Sequence, residues 1–330
     1  MNNTSCPQPD KKKLFEHIIL PTLHILVFIV GLIANGWGLN SLRRNWRKLG
    51  NINIFVLNLG LADILYLLTL PFLIVYHLKG NKWIFGEGFC LVTRFCFNLN
   101  LYCSIGFLTC ISVYRYLSIV HPMRSMGRLT TTHSVIISVV VWILVGAQSL
   151  PDMFYPKTFQ NGSKCFDSTS NEHMESYLNY SIIWTSFGFC IPFLITIWSY
   201  GHVTLVVCRS KTIDQDLKQR SLKLLVILIL LFLLCYAPYH VFKNLSMYSR
   251  VLIHQETCPK WDSGVFIARQ ASRGLVSLNS ALNPLVYLHV YEDMGAHLRQ
   301  QLQGGQQMFS RLFKSNSCSA PVPQSEPDEV

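Results

Sequence analysis

Residues 17–42 have the sequence HIILPTLHILVFIVGLIANGWGLNSL and contain no Asp, Glu, Lys or Arg. A helix needs roughly 20 apolar residues to cross the ~30 Å hydrocarbon core of a bilayer, so this stretch is long enough to span a membrane. Lysines precede it at positions 11–13, but it lacks a small-residue cleavage site. We therefore interpret it as a retained transmembrane helix and not as a signal peptide.

Six further stretches of similar length repeat this pattern. Half of the 330 residues are apolar or aromatic and only 14% are charged, whereas about a quarter are charged in soluble domains. The 28 Lys and Arg lie mostly in the short segments between the apolar stretches, which disfavours a nucleic-acid-binding surface. The sequence predicts an all-α membrane protein with a seven-helix transmembrane bundle over residues 17–291. The remaining stretches are 51–78, which contains only Asp63, then 95–114, 129–151, 176–208, 224–242 and 274–291.

The basic residues of the loops predict the orientation of the bundle. The first loop between helices carries Arg43, Arg44, Arg47 and Lys48 and no acid, and the later loops on the same side are also basic. Because Lys and Arg concentrate in cytoplasmic loops, we expect residues 1–16 outside the cell and the C-terminus inside. The sequons at Asn2, Asn3 and Asn161 then fall on the extracellular side and are predicted glycosylation sites.

The chain after the last span contains two predicted segments. Residues 292–303 place Leu298 and Leu302 one helical turn apart beside charged side chains, which is typical of a short amphipathic helix on the inner membrane surface. Residues 304–330 are polar and contain Pro and Ser, as in a disordered cytoplasmic tail. The sequence shows no internal repeat, so an inverted-repeat transporter is not indicated.

Four cysteines, at positions 6, 90, 165 and 258, lie on the predicted extracellular side, where disulfides form. Four cysteines permit three pairings. We expect Cys90 to pair with Cys165, which would pin the second outer loop across the mouth of the bundle. We expect Cys6 to pair with Cys258, while the two other pairings remain open.

Neither a metal centre nor an enzyme site is predicted. Cys96, Cys103 and Cys110 recur at seven-residue spacing, which places neighbours ~10.5 Å apart along a helix axis, too far to share one metal ion. The sequence contains no Walker loop, His-Glu-x-x-His or Gly-x-Ser-x-Gly motif. We therefore expect no cofactor apart from the sodium ion discussed below, and no enzymatic activity.

Each predicted helix contributes a recognisable motif. In chain order these are Gly31 and Asn35, Leu61-Ala62-Asp63, Arg115, Trp142, Pro192 and Tyr200, Pro238, and Asn283-Pro284-Leu285-Val286-Tyr287. In this combination the chain resembles the rhodopsin-like, class A G-protein-coupled receptors over nearly its whole length. The resemblance implies a plasma-membrane receptor with a heterotrimeric G protein and arrestin as partners. It also implies a G-protein switch formed by Arg115, Tyr200 and Tyr287.

Asp63 is a lone carboxylate at the depth of the membrane centre, where an unpaired charge is costly and therefore functional by default. In the resembling family the matching positions form a sodium site that holds the inactive state. A protonated, hydrogen-bonded Asp63 without an ion is the alternative. The predicted sodium site comprises Asp63, Asn100, Ser104, Asn279 and Asn283.

Tyr114 departs from the family pattern, because most relatives carry an acid beside the arginine that corresponds to Arg115. The local ion pair that would restrain Arg115 is therefore missing. We predict raised signalling without agonist.

Basic side chains occupy the outer ends of three predicted helices: Arg94 on the third, Lys243 on the sixth and Arg273 on the seventh. Arg offers a bidentate fork to phosphate or carboxylate, and Lys acts as a point charge. Amine receptors carry Asp on the third helix where this chain has Phe97, so a cationic ligand is not expected. The mouth is predicted to bind an anion.

Several short stretches are similar to those of one branch of the family: Trp83-Ile84-Phe85-Gly86, Arg94-Phe95, Asn100-Leu101-Tyr102, Cys165-Phe166-Asp167, Tyr239-His240-Val241-Phe242-Lys243 and Arg273-Gly274. Through them the chain resembles the metabotropic purinoceptors, and most closely their ADP-preferring, Gq-coupled branch. That resemblance implies an extracellular nucleotide ligand, with adenine di- or triphosphate favoured, and signalling through Gq, phospholipase C and calcium. The implied ligand residues are Arg94, Asn98, Tyr102, Asp167, His240, Lys243, Arg250, Gln270 and Arg273.

Within that set, the resemblance implies that Lys243 and Arg273 bind the phosphates and that Asp167 bridges the outer loop to Arg273. Two positions depart from the purinoceptor pattern, since Asn98 stands where close relatives often carry His and Arg269 where they usually carry Tyr. A receptor for a dicarboxylate, such as succinate or oxoglutarate, or for a lipid acid is the nearest alternative. An anion transporter is the alternative from a different class of protein.

Overall fold

The computed structural model describes residues 15–44, 46, 51–121, 130–159, 164–165, 167–209, 223 and 226–290. Several predicted features lie outside these residues. They are the surface helix at 292–303, the tail at 304–330, Cys6, and the sequons at Asn2, Asn3 and Asn161.

Seven long helices follow one another along the described chain, in agreement with the predicted all-α class. Six of them are long and apolar enough to cross a membrane by length and composition. The seventh is of similar length and carries Arg269 and Arg273 in its N-terminal half. The helices are α1 (His17–Arg44), α2 (Ile52–Leu78), α3 (Glu87–Val120), α4 (Thr131–Phe154), α5 (Met174–Val206), α6 (Val226–His254) and α7 (Asp262–Val290).

A two-stranded antiparallel hairpin connects α4 to α5. Strand β1 (Thr158–Phe159) pairs with strand β2 (Lys164–Cys165), and Thr158 is aligned with Cys165. A disulfide joins Cys165 to Cys90 near the start of α3, with the two Cα atoms 5.8 Å apart. This bond fixes the hairpin to the end of α3. Cys258 is also disulfide-bonded.

Prolines account for the irregular turns inside α5 and α6. A π-helical segment, Ser186–Cys190, directly precedes the turn that contains Pro192, and a second one, Leu231–Tyr236, precedes the turn that contains Pro238. A proline has no backbone N–H and its ring clashes with the carbonyl one turn earlier, so the preceding turn widens. Each π-helical turn contains one extra residue, so the side chains before and after it are rotated relative to each other about the helix axis.

The helix α3 lies at the centre of the bundle and packs against α2, α4 and α5. Polar contacts tie α7 to the first two helices: Asn35 donates to the Ser280 carbonyl at 2.8 Å, and the Tyr66 hydroxyl lies 2.6 Å from that of Ser277. At Gly31, a Cβ atom would lie only 2.8 Å from a Leu67 methyl group. The missing side chain therefore allows α1 and α2 to approach closely.

The surface of the bundle is apolar while its interior holds polar side chains. Ile33, Leu144 and Leu194 are each largely exposed, at 68%, 63% and 63%. Polar residues such as Asp63 and Asn283 are completely buried. Lipid, which is itself apolar, accommodates such a surface, whereas the buried polar groups must find partners within the protein.

Candidate ligand-binding site

Three arginines from α3 and α7 converge on the outer loop where it leaves the hairpin. Arg94, Arg269 and Arg273 are buried, with exposures of 5%, 5% and 3%. The Arg94 Nη2 atom donates to the Cys165 carbonyl at 2.8 Å. The Arg273 guanidinium lies over the Phe97 ring, 5.2 Å from its centroid, which adds a cation–π contact. Helix packing and the Cys90–Cys165 disulfide thus bring these cations to one place.

Asp167 is the carboxylate at the centre of this cluster. Its Oδ2 atom lies 2.8 Å from Arg269 Nη2 and 3.5 Å from Arg273 Nη1. Burial alone would raise the pKa of the Asp167 carboxyl, but Arg269, Arg273 and Arg94 outweigh that effect and hold the pKa well below its usual value. Asp167 therefore stays ionised at any physiological pH. It contacts Arg273 at 3.5 Å, and its shorter contact is to Arg269.

The converging arginines retain unused hydrogen-bond donors. Among the described residues, Arg94 Nε and Nη1, Arg269 Nε, and Arg273 Nε and Nη2 are buried without a hydrogen-bond partner. Leaving a buried donor of a charged group unsatisfied costs at least about 1–3 kcal/mol. Donors of this kind, gathered in one region, favour the binding of an anion.

Arg250 makes different contacts from the ones expected of a ligand residue. Its Nη1 atom donates to the Ser168 hydroxyl at 2.6 Å and its Nη2 atom donates to the Thr169 carbonyl at 2.9 Å. Both partners belong to the loop that also carries Asp167. The guanidinium of Arg250 therefore stabilises the loop, and a role in ligand binding stays a prediction.

The opposite wall of the site is formed by α6. Lys243 is buried, and its ammonium lies 5.8 Å from the centroid of the Tyr239 ring. Within the part of the chain that the structure describes, no carboxylate forms an ion pair with it. His240 stacks on Phe189 with ring centroids 4.7 Å apart, and its Nε2 atom is buried without a partner. Gln270 on α7 likewise has a buried side-chain oxygen without a partner.

A small cavity lies beside Lys243, between α3, α4, α5 and α6. It encloses about 250 Å³ of space, including the part open to solvent. Two of its polar atoms, Gln148 Nε2 and Ser149 Oγ, are buried without a hydrogen-bond partner. The cavity is lined by Asn98, Tyr102, Gln148, Ser149, Asp152, Tyr180, Ser181, Trp184 and Lys243.

A buried acid–base cluster around Asp152 borders this cavity, and the sequence did not indicate it. The Lys157 ammonium and the Tyr177 hydroxyl both donate to Asp152 Oδ1, at 2.6 and 2.5 Å. Asn98 donates to Asp152 Oδ2 at 3.0 Å, so the amide group predicted to face the ligand is engaged by a carboxylate. Burial lowers the pKa of the Lys157 ammonium, and Asp152 opposes that effect. One sequence feature could have indicated this cluster: Asp152 directly follows the apolar stretch 129–151, and Lys157 comes five residues later.

The structure brings Asp63 together with two of the residues predicted to surround it. The Nδ2 atom of Asn283 lies 3.0 and 2.9 Å from the two Asp63 carboxylate oxygens, and the Nδ2 atom of Asn100 lies 2.8 Å from Oδ1. These amide donors stabilise the carboxylate in the middle of the bundle. Asp63 is therefore fully buried yet hydrogen-bonded.

Oxygen atoms near this carboxylate remain without partners. The hydroxyl of Ser104 and the Oδ1 atoms of Asn279 and Asn283 are buried and have no hydrogen-bond partner among the described residues. The Nδ2 atom of Asn279 donates to the Tyr236 hydroxyl at 2.5 Å. Neutral oxygens beside one carboxylate are the ligands preferred by a hard cation such as sodium, so the residues present fit such an ion.

Near the C-terminal end of α3, the structure shows what Tyr114 contacts. Its ring packs edge-on against Phe55 of α2, with centroids 6.3 Å apart. No carboxylate of the described chain pairs with Arg115, whose Nε atom is buried without a partner. The Tyr200 hydroxyl is also buried without a partner, and Tyr287 lies near the inner end of α7. Groups left without partners in this way can form new contacts if the helices rearrange.

Comparison with known proteins identifies the family. The family of seven-transmembrane receptors of the rhodopsin type matches residues 39–287. The purinoceptor 1 of Gallus gallus is 37% identical over 92% of this chain and 83% of its own length. The purinoceptor 1 of Homo sapiens is 35% identical over 92% of this chain and 81% of its own. The 2-oxoglutarate receptor 1 of Rattus norvegicus is 34% identical over 85% of this chain and 83% of its own.

These matches span the bundle and most of the chain, and the proteins matched are receptors and not enzymes. Seven described helices with an apolar surface and a polar interior agree with that assignment. The chain belongs to the rhodopsin family of seven-transmembrane receptors and is a multi-pass protein of the plasma membrane.

Proposed function

We propose that this receptor is activated by an extracellular nucleotide, with an adenine di- or triphosphate favoured. The observation that carries the proposal is the set of buried guanidinium N–H groups on Arg94 and Arg273 that have no partner among the residues described by the structure. With Lys243, they offer cations on α3, α6 and α7 to one polyanionic ligand. The similarity to purinoceptor 1 of two species supports a nucleotide as that ligand.

The proposed ligand acts by binding two conformations of the bundle unequally. Phosphate oxygens that contact Arg94, Lys243 and Arg273 together connect α3, α6 and α7 through one ligand. A ligand shifts a conformational equilibrium only by the difference between its affinities for the two states. Binding that draws the outer ends of α6 and α7 toward α3 therefore favours the conformation that G protein recognises.

On the inner side, we propose that Arg115, Tyr200 and Tyr287 form the contacts that change on activation. The proposed signalling partners are a G protein of the Gq class, acting through phospholipase C and calcium, and arrestin. This requires the N-terminus to be extracellular and the C-terminus cytoplasmic, as the basic loops predict.

One assay tests the ligand class directly. Cells that express the receptor are exposed to ADP, ATP, UDP, UTP, succinate and oxoglutarate, and calcium release is recorded for each, with untransfected cells as the control. We expect adenine nucleotides to give the most potent response. A response to the dicarboxylates alone would overturn the nucleotide proposal.

A dicarboxylate is the second candidate ligand, and one contact favours it. The Asp167 carboxylate already lies against Arg269 and Arg273, so this cluster can accept a carboxylate. The similarity to a 2-oxoglutarate receptor points the same way. Membership of the receptor family, by contrast, argues against the anion transporter.

Tyr114→Asp is expected to lower signalling in the absence of agonist. An acid at this position would supply an ion-pair partner, which Arg115 does not have among the described residues, and Arg115 would be held more firmly in the inactive arrangement. Accumulated inositol phosphate without agonist, divided by surface expression, measures the effect. Tyr114→Phe keeps the ring that packs on Phe55 and serves as the control. Equal ligand-free signalling in the wild type and in Tyr114→Asp would rule the explanation out.

We also propose that Asp63 and its oxygen neighbours bind sodium in the inactive receptor. Asp63→Asn removes the charge and keeps the shape, so agonist affinity should no longer fall when sodium replaces a bulky organic cation in the buffer. The measurement is agonist competition binding in the two buffers. The wild type should lose affinity in sodium, and a wild-type affinity independent of sodium would contradict the proposal.

A further inference from the structure

Four arginines hold Cys165 and the following residues 167–169 of the outer loop. They come from three different helices, α3, α6 and α7. The contacts are Arg94 to the Cys165 carbonyl, Arg269 and Arg273 to the Asp167 carboxylate, and Arg250 to Ser168 and Thr169. The segment therefore neutralises part of the positive charge that the ligand is proposed to use.

The two arginines on α7 share a single oxygen of Asp167 unequally. Arg269 Nη2 lies 2.8 Å from Asp167 Oδ2, whereas Arg273 Nη1 lies 3.5 Å from the same atom. The Nη1 atom of Arg269 also donates to the Ser246 hydroxyl on α6 at 3.2 Å. Both guanidinium groups are nearly inaccessible to solvent, so neither contact is strongly screened by water.

Arg273, which makes the longer contact to Asp167, has more hydrogen-bond donors without a partner in the described chain than Arg269 has. Within the described ranges, Arg273 has two buried nitrogens, Nε and Nη2, without a partner, while Arg269 has only Nε. Arg269 thus uses its donors on the loop and on α6, and Arg273 keeps more of its donors. A charge-assisted hydrogen bond prefers about 2.7–2.9 Å, so Asp167 interacts mainly with Arg269.

We propose that Arg269 is a positioning residue that holds Asp167 away from Arg273 and so keeps Arg273 available to the anionic ligand. This inference rests on the proposed anion-binding function of the same site. Without Arg269, the carboxylate would have Arg273 as its nearest remaining partner on α7. It would then compete with the ligand from within the protein.

A change of pH within the physiological range does not stop Asp167 from competing with the ligand for Arg273. Its neighbours hold its pKa well below the usual value, so it carries a full negative charge under physiological conditions. Arg269→Gln is therefore expected to raise the half-maximal concentration of ADP about tenfold, because Asp167 moves onto Arg273. Arg269→Lys keeps the charge and should restore most of the wild-type potency.

A double-mutant cycle separates positioning from direct contact. The effect of Arg269→Gln is measured in the wild type and in an Asp167→Asn background, where no charged competitor is present. If Arg269 acts through Asp167, its replacement should change ADP potency less than about twofold in that background, and the difference from the tenfold loss in the wild type measures the coupling between the two residues. A tenfold loss in both backgrounds would mean that Arg269 contacts the ligand itself and would overturn the proposal. No loss in the wild-type background would overturn it as well.

A measurement without agonist keeps this test independent of the nucleotide proposal. Hydrogen–deuterium exchange of the purified, ligand-free receptor reports on peptides that contain residues 167–169. Exchange should rise several-fold more in Arg269→Gln than in Arg273→Gln, because Arg269 makes the shorter contact to Asp167. A larger rise in Arg273→Gln, or no rise in either variant, would contradict the proposal. Wild-type receptor that responds to no nucleotide would instead contradict the proposed ligand and leave the exchange result to decide on Arg269.

Discussion

Replacing Arg273 by Ala is expected to raise the agonist concentration for half-maximal calcium release at least tenfold at normal surface expression. Two buried N–H nitrogens of Arg273 have no partner in the described part of the chain, and an anionic ligand can satisfy both at once. Charge-assisted hydrogen bonds contribute about 1.5–3 kcal/mol each, and tenfold corresponds to about 1.4 kcal/mol. Even one lost contact therefore accounts for the expected change.

Lys243→Ala is expected to act in the same direction, because its buried ammonium lies at the site without an ion-pair partner in the described chain. Lys79→Ala is a matched control, since Lys79 lies at the outer end of α2 but is exposed to solvent. Agonist concentration–response curves and antibody labelling of intact cells provide the two readouts. Unchanged potency in Arg273→Ala and Lys243→Ala would show that the buried cations serve only the structure.

Asp152→Asn is expected to abolish most surface expression, through loss of stability and not through ligand binding. The Asp152 side chain accepts bonds from Lys157, Tyr177 and Asn98, and it neutralises an ammonium that is only 1% exposed. Removing one partner of a buried ion pair leaves an uncompensated charge and costs about 3–5 kcal/mol. That is a large share of the stability of a typical domain.

The double variant Asp152→Asn/Lys157→Met distinguishes charge from packing. Replacing both members of a buried pair by neutral groups is often nearly neutral, so this variant should recover much of the expression that Asp152→Asn loses. Thermal unfolding of detergent-solubilised receptor gives the same comparison without trafficking. Equal losses in the single and the double variant would attribute the effect to the hydrogen bonds of Asp152 and not to the charge of Lys157.

Charge-free stretches predict where the helices lie in the sequence, but they predict the ends of the helices less well. The predicted sixth span ended at residue 242, whereas α6 continues to His254, and the seventh began at residue 274, whereas α7 begins at Asp262. A charge-free stretch stops at the first ionisable residue. Lys243 and Arg273 are such residues, but both are buried against other helices, so the helix continues through them.

The sequence predicts which residues belong to the candidate site, but it does not predict all of the contacts that their side chains make. Arg94, Lys243 and Arg273 are buried, and their contact with a ligand stays a prediction. Asn98 and Arg250 were predicted to contact the ligand, which stays a prediction, and in the structure their side chains bind Asp152 and the outer loop. Their partners lie more than fifty residues away along the chain, so no local pattern indicates them.

Hydropathy and charge along the chain are enough to predict the class of this protein, from seven apolar stretches of membrane-spanning length, basic loops between them, and cations near the ends of three spans. Each of these properties belongs to a single segment, and each segment interacts with the membrane on its own. The partners of the buried charges, by contrast, follow only from the packing of the helices. The tertiary structure assigned Asp152 to Lys157 and gave Asp167 a closer contact with Arg269 than with Arg273. Such pairings depend on distances between helices and on a disulfide-anchored loop, because electrostatic energy in a buried site changes steeply over less than 1 Å.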